Sequence, residues 1–539
     1  MTQTAFSRSA PVYRSGVQLL YLADASERGT ASDSDQVVAI PLRADRGAID
    51  RAFPVTASNR SRSLGQATSI LASALNEAHV HVYEALANGA AQVVCSRIVP
   101  AAATLSYMVA TMDTTSKAVT WSVASALPAD YLVAIRHLEC FNDGVKIGIH
   151  AVEAADNTGA AVASKVVKVR LYDVVSGELL FDDFTGSLVV TDKDQSGNSY
   201  FLGSTVASQT DLVEVSVKGT TVPATSNIYG QDANGNDQWV YATLSYFNEG
   251  GTTYAATDYD AALNRLFHAN QSFGYLGAGG SKNVALLSKL DALATKMNKV
   301  FVFDVPGELS LTGAVAFMAN LGLDNHYTQA LWAPLNSDDP LNGGKAIIGT
   351  SGAHLGLRCK RNAQTDANGV APKHYPVAGS MFPLTGRTGV RQLVNLEDAD
   401  LEKLAKAKIN PVISQTYASG AKYVFLDSLT CSKSNGDKQL AAVAEMSAAV
   451  DEAIAIFTKE ALQKPISEAI RLTTRYIEAL FPALQTAGWL VPSDDMGGAA
   501  YMATIKPNSA QPKQKIDERH SCSYEGTTRV ITVGQTLSR

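Results

Sequence analysis

Apolar and polar positions along this chain follow one regime, then another, then a third. Gln36-Val-Val-Ala-Ile-Pro-Leu42 is an apolar run of strand length and predicts a buried strand. Ile70, Leu71, Leu75 and Ala78 fall on one stripe and predict a helix over 67–81, and Gln92–Val99, closed by Pro100, predicts a second strand. Together they make one β-α-β unit. From about Ser106 to Asp258 the period changes to two. Lys165–Asp173 and Asp211–Val217 alternate, Leu179–Phe184 and Leu188–Thr191 are further strand candidates, and turn residues recur at Gly186-Ser187, Gly197-Asn198 and Asp232–Gly235.

From Tyr259 helical and strand patterns alternate, which implies a mainly parallel, covered sheet. Helices are expected at Asp260–His268 and Asn283–Met297, and strands at Lys299–Asp304 and Tyr327–Ala333. Cys359–Thr388, rich in Gly, Pro, Lys and Arg, reads as an extended loop. A helix at Asp400–Lys408 is expected to stop at Ile409-Asn-Pro-Val-Ile413, ahead of a strand at Lys422–Thr430. Two long helices follow, Gln439–Gln463 and Ile466–Gln485, with Pro465 suited to the first turn of the second. Val443, Met446, Val450, Ile454 and Phe457 line one; Ile466, Ile470, Ile477, Leu480 and Leu484 line the other and reach Trp489. A polar linker then leads to a last short strand at Thr528–Val533. A strand held off its domain by a linker needs a sheet edge, and a neighbouring subunit can supply one. Val17–Leu22, behind a polar lead-in, reads equally as such a donated strand or as the first strand of a local sheet.

Length and composition narrow this picture to a multidomain α/β (mixed α+β) chain. At 539 residues, 46% hydrophobic and 18% charged, the chain can bury several cores. The divisions expected are an N-terminal arm at 1–24, a β-α-β body at 25–105 and a β-rich domain at 106–258. An α/β domain at 259–390, a C-terminal core at 391–510 and a terminal linker and strand at 511–539 complete them. A net charge of −6 argues against a dedicated nucleic-acid binder. Five scattered cysteines without a CxxC pair read as reduced thiols, and no apolar run has the length of a signal core or a membrane span.

Candidate chemistry is sparse. Gly274-Tyr-Leu-Gly-Ala-Gly-Gly280 precedes a helix, as phosphate loops do, but lacks the P-loop lysine and hydroxyl and the dinucleotide spacing, so a connecting loop is expected. His79 and His81 share a face if extended, yet have no Cys or carboxylate beside them to complete a metal site. Asp304 ends a strand of an α/β sheet, where ligands bind, but has no base or nucleophile at recognisable spacing; capping or turn duty is expected. No catalytic, cofactor-binding or metal residue is therefore assigned. Arg387, Arg391, Lys403, Lys406 and Lys408 form a basic run that reads either as a solvated helix face or as a patch for an acidic partner.

Taken segment by segment, the chain resembles the tail sheath proteins of contractile phages and related injection systems. Gln36–Gly47 resembles the family's first buried strand and turn, and Pro54–Ser58 with Ser63-Leu-Gly65 its next segment, with Leu64 where Phe is usual. Ala87–Ile98, Leu179–Phe184, Asn198–Val206, Val300–Pro306, Gln329–Pro334, Leu401–Pro411 and Tyr423–Thr430 resemble later motifs in the family's order. The resemblance implies a discontinuous core built from both chain ends, an inserted β-rich domain and extended terminal arms. It implies a non-enzymatic virion protein, without cofactors, whose partners are copies of itself, the tail tube, baseplate and tail terminator proteins, with neither nucleic acid nor membrane. It implies assembly in the host cytoplasm and residence in the virion tail. Gly16, Val17, Gln18, Leu19, Leu20 and Tyr21 would form one intersubunit arm, and Thr528, Arg529, Val530, Ile531, Thr532 and Val533 the other. The basic run would face the tube. A capsid or tube subunit, or a cytoplasmic α/β enzyme, are the alternatives.

Overall fold

The computed structural model describes residues 33–72, 76–113, 119–151, 154–155, 161–162, 165–218, 239–532 and 535. The expected N-terminal arm therefore lies outside the described residues. The rest divides into two units, one formed by Asp33–Lys360 with Val377–Ala441 and the other by Arg361–Pro376 with the stretch from Ala442 on.

The first unit opens with β1 (Val37–Leu42), every residue of which is buried, and β2 (Phe53–Val55). Helix α1 (Glu77–Ala87) then crosses to β3 (Gln92–Arg97), which pairs parallel with β1 in register Val37 to Gln92. This is the expected β-α-β unit with its helix moved. The stripe chosen over 67–81 fails because Leu71 is 73% exposed, while Ala78, Val82 and Ala85 are the residues that pack. His79 and His81 are therefore helical and two residues apart, so they do not share a face.

The β-rich part carries two four-stranded sheets. One contains β4 (Tyr107–Met112), β5 (Val119–Ala124), β6 (Val133–His137) and, later in the chain, Val213–Val217. The other contains β7 (Val145–Ala151), β8 (Val166–Asp173), β9 (Phe184–Ser187) and, later, Val240–Leu244. Strand β8 alternates half-buried and buried residues along its whole length, as its period-two pattern demands. Leu188–Thr191 is not a strand, and Leu202–Gln209, which the sequence pattern did not announce, is the helix α2. Later-numbered elements resume with β10 (Val213–Val217) and β11 (Val240–Leu244). One core joins both sheets, with Ile147, Ile149, Val169, Leu171 and Phe184 at its centre.

Helix α3 (Ala256–Phe267) returns the chain to the main sheet. There β12 (Tyr275–Gly277) forms inside the stretch expected to be a connecting loop, and α4 (Val284–Met297), β13 (Val300–Val305) and β14 (Thr328–Trp332) follow as expected, with α5 (Leu311–Leu321) between the last two. Asn283 caps α4 by accepting from Leu286 N–H at 3.1 Å, and left-handed Asn298 ends it. Helix α6 (Ser351–Asn362) occupies the start of the supposed extended loop. After α7 (Asp398–Lys406), residues Ile409–Tyr417 form a strand, β15, and not a turn; β16 (Gly420–Phe425) follows. Pro411 is tolerated because the strand changes neighbours there: 409–411 pair with β14, whereas 412–417 pair with β16. Buried Asn410 bonds Ala330 O, Leu429 O and Leu429 N at 2.6–2.9 Å, which leaves its amide satisfied. The eight-stranded sheet runs β2-β3-β1-β12-β13-β14-β15-β16.

The second unit is built on α8 (Ala441–Ala461), which starts at its last residue before the boundary, and α9 (Ile466–Thr486). Their apolar stripes pack as expected: Met446, Val450, Leu480 and Leu484 are fully buried, and Phe457 stacks on Tyr476 at 4.0 Å. Trp489 is buried and donates its Nε1–H to Ala371 O at 2.8 Å. What reads as a polar linker instead holds a hairpin of two seven-residue strands, β17 (Tyr501–Pro507) and β18 (Ile516–Cys522).

Candidate functional site

The densest constellation of polar side chains lies at the carboxyl end of β13. Gly352 and Gly356, four residues apart on α6, let that helix touch the α1 backbone. A Cβ at Gly352 would stand 2.5 Å from His81 O, and one at Gly356 would stand 2.6 Å from Ala85 O. The close crossing delivers the first turn of α6 onto Asp304, whose Oδ1 accepts from Thr350 N–H at 2.6 Å and Ser351 N–H at 3.1 Å. Glu77 takes the Gly349 N–H at 2.6 Å. Arg387 binds the opposite polarity of the same segment, donating to Ile348 O and Gly349 O while its guanidinium grips Glu84 at 2.6 and 2.8 Å. Residues 348–351 are thus held by carboxylates on their N–H groups and a guanidinium on their carbonyls.

His81 sits inside this clamp with no exposed surface. Burial works against its protonation, but Glu77 and the charge of Asp304 outweigh it and raise the pKa. Asp304 is raised chiefly by burial, whereas Glu77 is lowered, the His81 and Gly349 interactions overcoming desolvation. Ser351 Oγ lies 3.3 Å from His81 Nδ1, with carboxylates near the other ring nitrogen, which is the inventory of a nucleophile and base. The Gly352 N–H also points at Nδ1, at 3.0 Å, and occupies the lone pair a general base would use. Ser351 is 1% exposed, so the geometry is that of a fastening and offers a substrate no approach. Asp304 has the capping duty expected of it.

The glycine-rich stretch proves to be the buried strand β12 followed by a turn, with Gly279 and Gly280 at φ of 58° and 74°. A side chain at Gly280 would strike Glu77 and His81, which explains the glycine by close approach. The turn borders a cavity of 460 Å³ lined by Arg43, Tyr254, Tyr259, Lys282 and Leu286. It lies between β1 and β12, where the direction of strand addition reverses. Lys282 is committed to Glu308 at 2.8 Å, and Arg43 lies 3.6 Å from Glu249.

The basic run does not form one patch. Arg387 is buried in the clamp, with 1% of its side chain exposed, so it is removed from any partner surface. Burial opposes its charge, yet Glu84 raises its pKa above the ordinary value. Lys403 and Lys406 are exposed but pair with Asp400 and Glu402 of their own helix, Lys408 bonds Gln439, and Arg391 is exposed on a two-residue strand. Among the described residues no group of three His, Cys, Asp or Glu can hold a metal ion, and no helix is long and apolar enough to cross a membrane. Past Tyr524 the described residues leave regular structure, and Val530 and Ile531 are 83% and 77% exposed.

His79 gives this unit an acid response. It is 3% exposed, and burial, with Arg60 and Arg43 against Asp45, lowers its pKa from 6.5 to about 4. The unfolded chain therefore binds a proton that the folded chain refuses. The stabilisation is complete above pH 6.5 and is lost as pH falls towards 4, by about 3 kcal/mol at 1.36 kcal/mol per pKa unit. His79→Leu should flatten the fall in melting temperature between pH 6.5 and 4; an unchanged slope would refute the assignment.

A long, mainly parallel sheet interrupted by a β-rich insertion, with a second unit formed largely by the later part of the chain, defines a multidomain α+β protein. The crystal structure of a sheath tail protein from Listeria innocua carries that fold: it aligns at a TM-score of 0.53 over 92% of this chain and 97% of its own, with 12% identity. A sheath tail protein from Desulfitobacterium hafniense aligns at 0.48 over 94% and 100%, with 12% identity. A chain of the contracted anti-feeding prophage baseplate aligns at 0.48 over 98% of both, with 9% identity. No protein-family model matches the chain, and no curated protein does.

Proposed function

We propose that this chain is the subunit of a contractile helical sheath that surrounds a tail tube and shortens to drive the tube through a cell envelope. The observation that carries the reading is likeness of fold over nine-tenths of both chains to the Listeria sheath tail protein. Exposed Val530 and Ile531 beyond Tyr524 support it, since an extended stretch with such side chains gains most by adding to a neighbour's sheet. In this reading Gly16–Tyr21 and Thr528–Val533 are lent to adjacent subunits, and main-chain bonds keep subunits in register while body contacts exchange. Shortening then draws on strain trapped at assembly and needs no nucleotide. The tube, the baseplate and copies of the chain are the partners; the clamp at β13 keeps the body rigid while load passes through it. The basic run, lacking Arg387 and largely paired, is not retained as the tube-facing surface.

Negative-stain microscopy of the full-length protein at rising concentration should show hollow, helically striated tubes, alone or on added tube and baseplate. Single particles under both conditions would sink the reading.

A further inference from the structure

The cavity beside β12 carries polar groups that the fold itself leaves unused. It occupies 460 Å³ at the carboxyl ends of β1 and β12, towards the small end of the range for ligand pockets, about 300–1,000 Å³. Leu42, Ile98, Tyr259, Ala278 and Leu286, all buried, give it an apolar lining, and exposed Thr252 and Thr253 stand on its rim. Among the described residues that line it there is no carboxylate; the charged ones are Arg43 and Lys282.

Two donors on this wall have no acceptor. Arg43 Nε and the Tyr254 hydroxyl are buried and make no hydrogen bond. Glu249 does not satisfy Arg43. It lies outside the wall, 3.6 Å from that guanidinium and 3.9 Å from Arg97, with its Oε2 taken by Asn142 at 2.8 Å. Burial, with the charge of Glu249, raises Tyr254 from 10.0 to about 12, so its hydroxyl keeps a proton to donate at neutral pH. The other polar groups nearby are committed. Lys282 binds Glu308 at 2.8 Å, Ser281 N–H donates to Ala278 O at 3.1 Å, and Asn283 N–H to Ser281 Oγ at 3.3 Å. The Asn283 side chain takes the Leu286 N–H, so the start of α4 acts on the cavity through its dipole, which favours negative charge.

We propose that this cavity binds a small monocarboxylate with an apolar body, an alkyl or aryl acid. Its carboxylate accepts from Arg43 Nε–H and Tyr254 O–H, and its body lies against Ile98, Tyr259 and Leu286. A carboxylate presents two acceptor oxygens, which matches two unmade donors. One negative charge is what the wall takes, since Lys282 is already neutralised by Glu308. A nucleoside diphosphate is the other occupant expected where a glycine turn meets a helix, but it needs free main-chain donors and more than one free cation. Here the Ser281, Asn283 and Leu286 N–H groups are already bonded. A neutral apolar ligand would leave both donors unmade. The site lies in the first unit and does not depend on assembly of the chain into a sheath.

Octanoate and 2-naphthoate, titrated separately into the full-length protein, should show saturable binding by calorimetry at millimolar concentration for at least one of them. Octanamide and ADP should bind more weakly by about tenfold or more, the worth of a charged hydrogen bond. Arg43→Gln should weaken the tighter acid by about tenfold, and Tyr254→Phe, which removes a single oxygen, by a similar factor with the melting temperature of the parent. Three outcomes overturn the proposal: neither acid saturates at millimolar concentration, octanamide or ADP binds as tightly as the acids, or Tyr254→Phe binds as the parent does. The last holds even where Arg43→Gln fails to fold.

Discussion

A chain truncated before Thr527 should fold, stay soluble and fail to form tubes. Exposed Val530 and Ile531 contribute almost nothing to the second unit on its own, so removing them costs its folding little. Within a lattice the balance reverses. Burying each of these side chains on a neighbour is worth about 1.5–3 kcal/mol, and each new main-chain hydrogen bond about 0.5–1.5 kcal/mol net. Every subunit repeats the same donation, so the loss multiplies through the polymer. The expected result is a monomer by light scattering, with the melting temperature of the parent and no tubes by microscopy. Ile531→Pro should act in the same direction, because it removes a donor from the lent strand while leaving length and composition nearly intact. Normal tubes from the truncated chain would show that Thr528–Val533 is not an assembly arm. They would leave the fold untouched.

How much of this was legible in the sequence depends on what each element is packed against. Buried strands such as Val37–Leu42 and Val300–Val305 are buried at every position and, Asp304 apart, apolar, so they are legible to within a residue or two. The stripes of α8 and α9 were read equally well, since each presents one face to a core. The failures have local causes. Ile409–Tyr417 contains Asn-Pro, which locally argues for a turn, and the sheet overrides that because Pro411 falls where its missing N–H is not needed. The hairpin β17–β18 has no fully buried residue, so it has no hydrophobic alternation to reveal it. At the clamp, Asp304 was singled out and its capping role foreseen. Glu77, Glu84 and Arg387 are not legible as its neighbours, because the Glu77–Gly349 and Glu84–Arg387 contacts span 272 and 303 positions and arise only through the sheet order. One signal was available: Gly352 and Gly356 at helical spacing announce a close helix crossing. The cavity beside β12 is hidden for a related reason. Arg43, Tyr254 and Lys282 come from three separate stretches, and only the folded sheet brings them to one wall.

Arg387→Met should be among the most damaging single changes in the first unit. It strands Glu84, 5% exposed, as a buried carboxylate without its guanidinium and leaves Ile348 O and Gly349 O without their donor. Breaking a buried pair from one side costs about 3–5 kcal/mol, far more than the pair adds relative to apolar residues of similar size. Because the chain has more than one unit, a single global transition is a poor measure of this. Hydrogen exchange at Gly349, Thr350 and Ser351 is the sharper one: their N–H groups are held by Glu77 and Asp304 only while the segment stays clamped. Exchange there should accelerate by two orders of magnitude or more at about 1.4 kcal/mol per tenfold, with slower regions of β13 less affected. Adding Glu84→Gln should recover part of the loss by removing the stranded charge, though the two carbonyls stay unbound. If Arg387→Met leaves exchange at Gly349–Ser351 unchanged, the guanidinium is not what fastens α6 to the sheet, and Asp304 with the Gly352–His81 backbone contact must suffice alone.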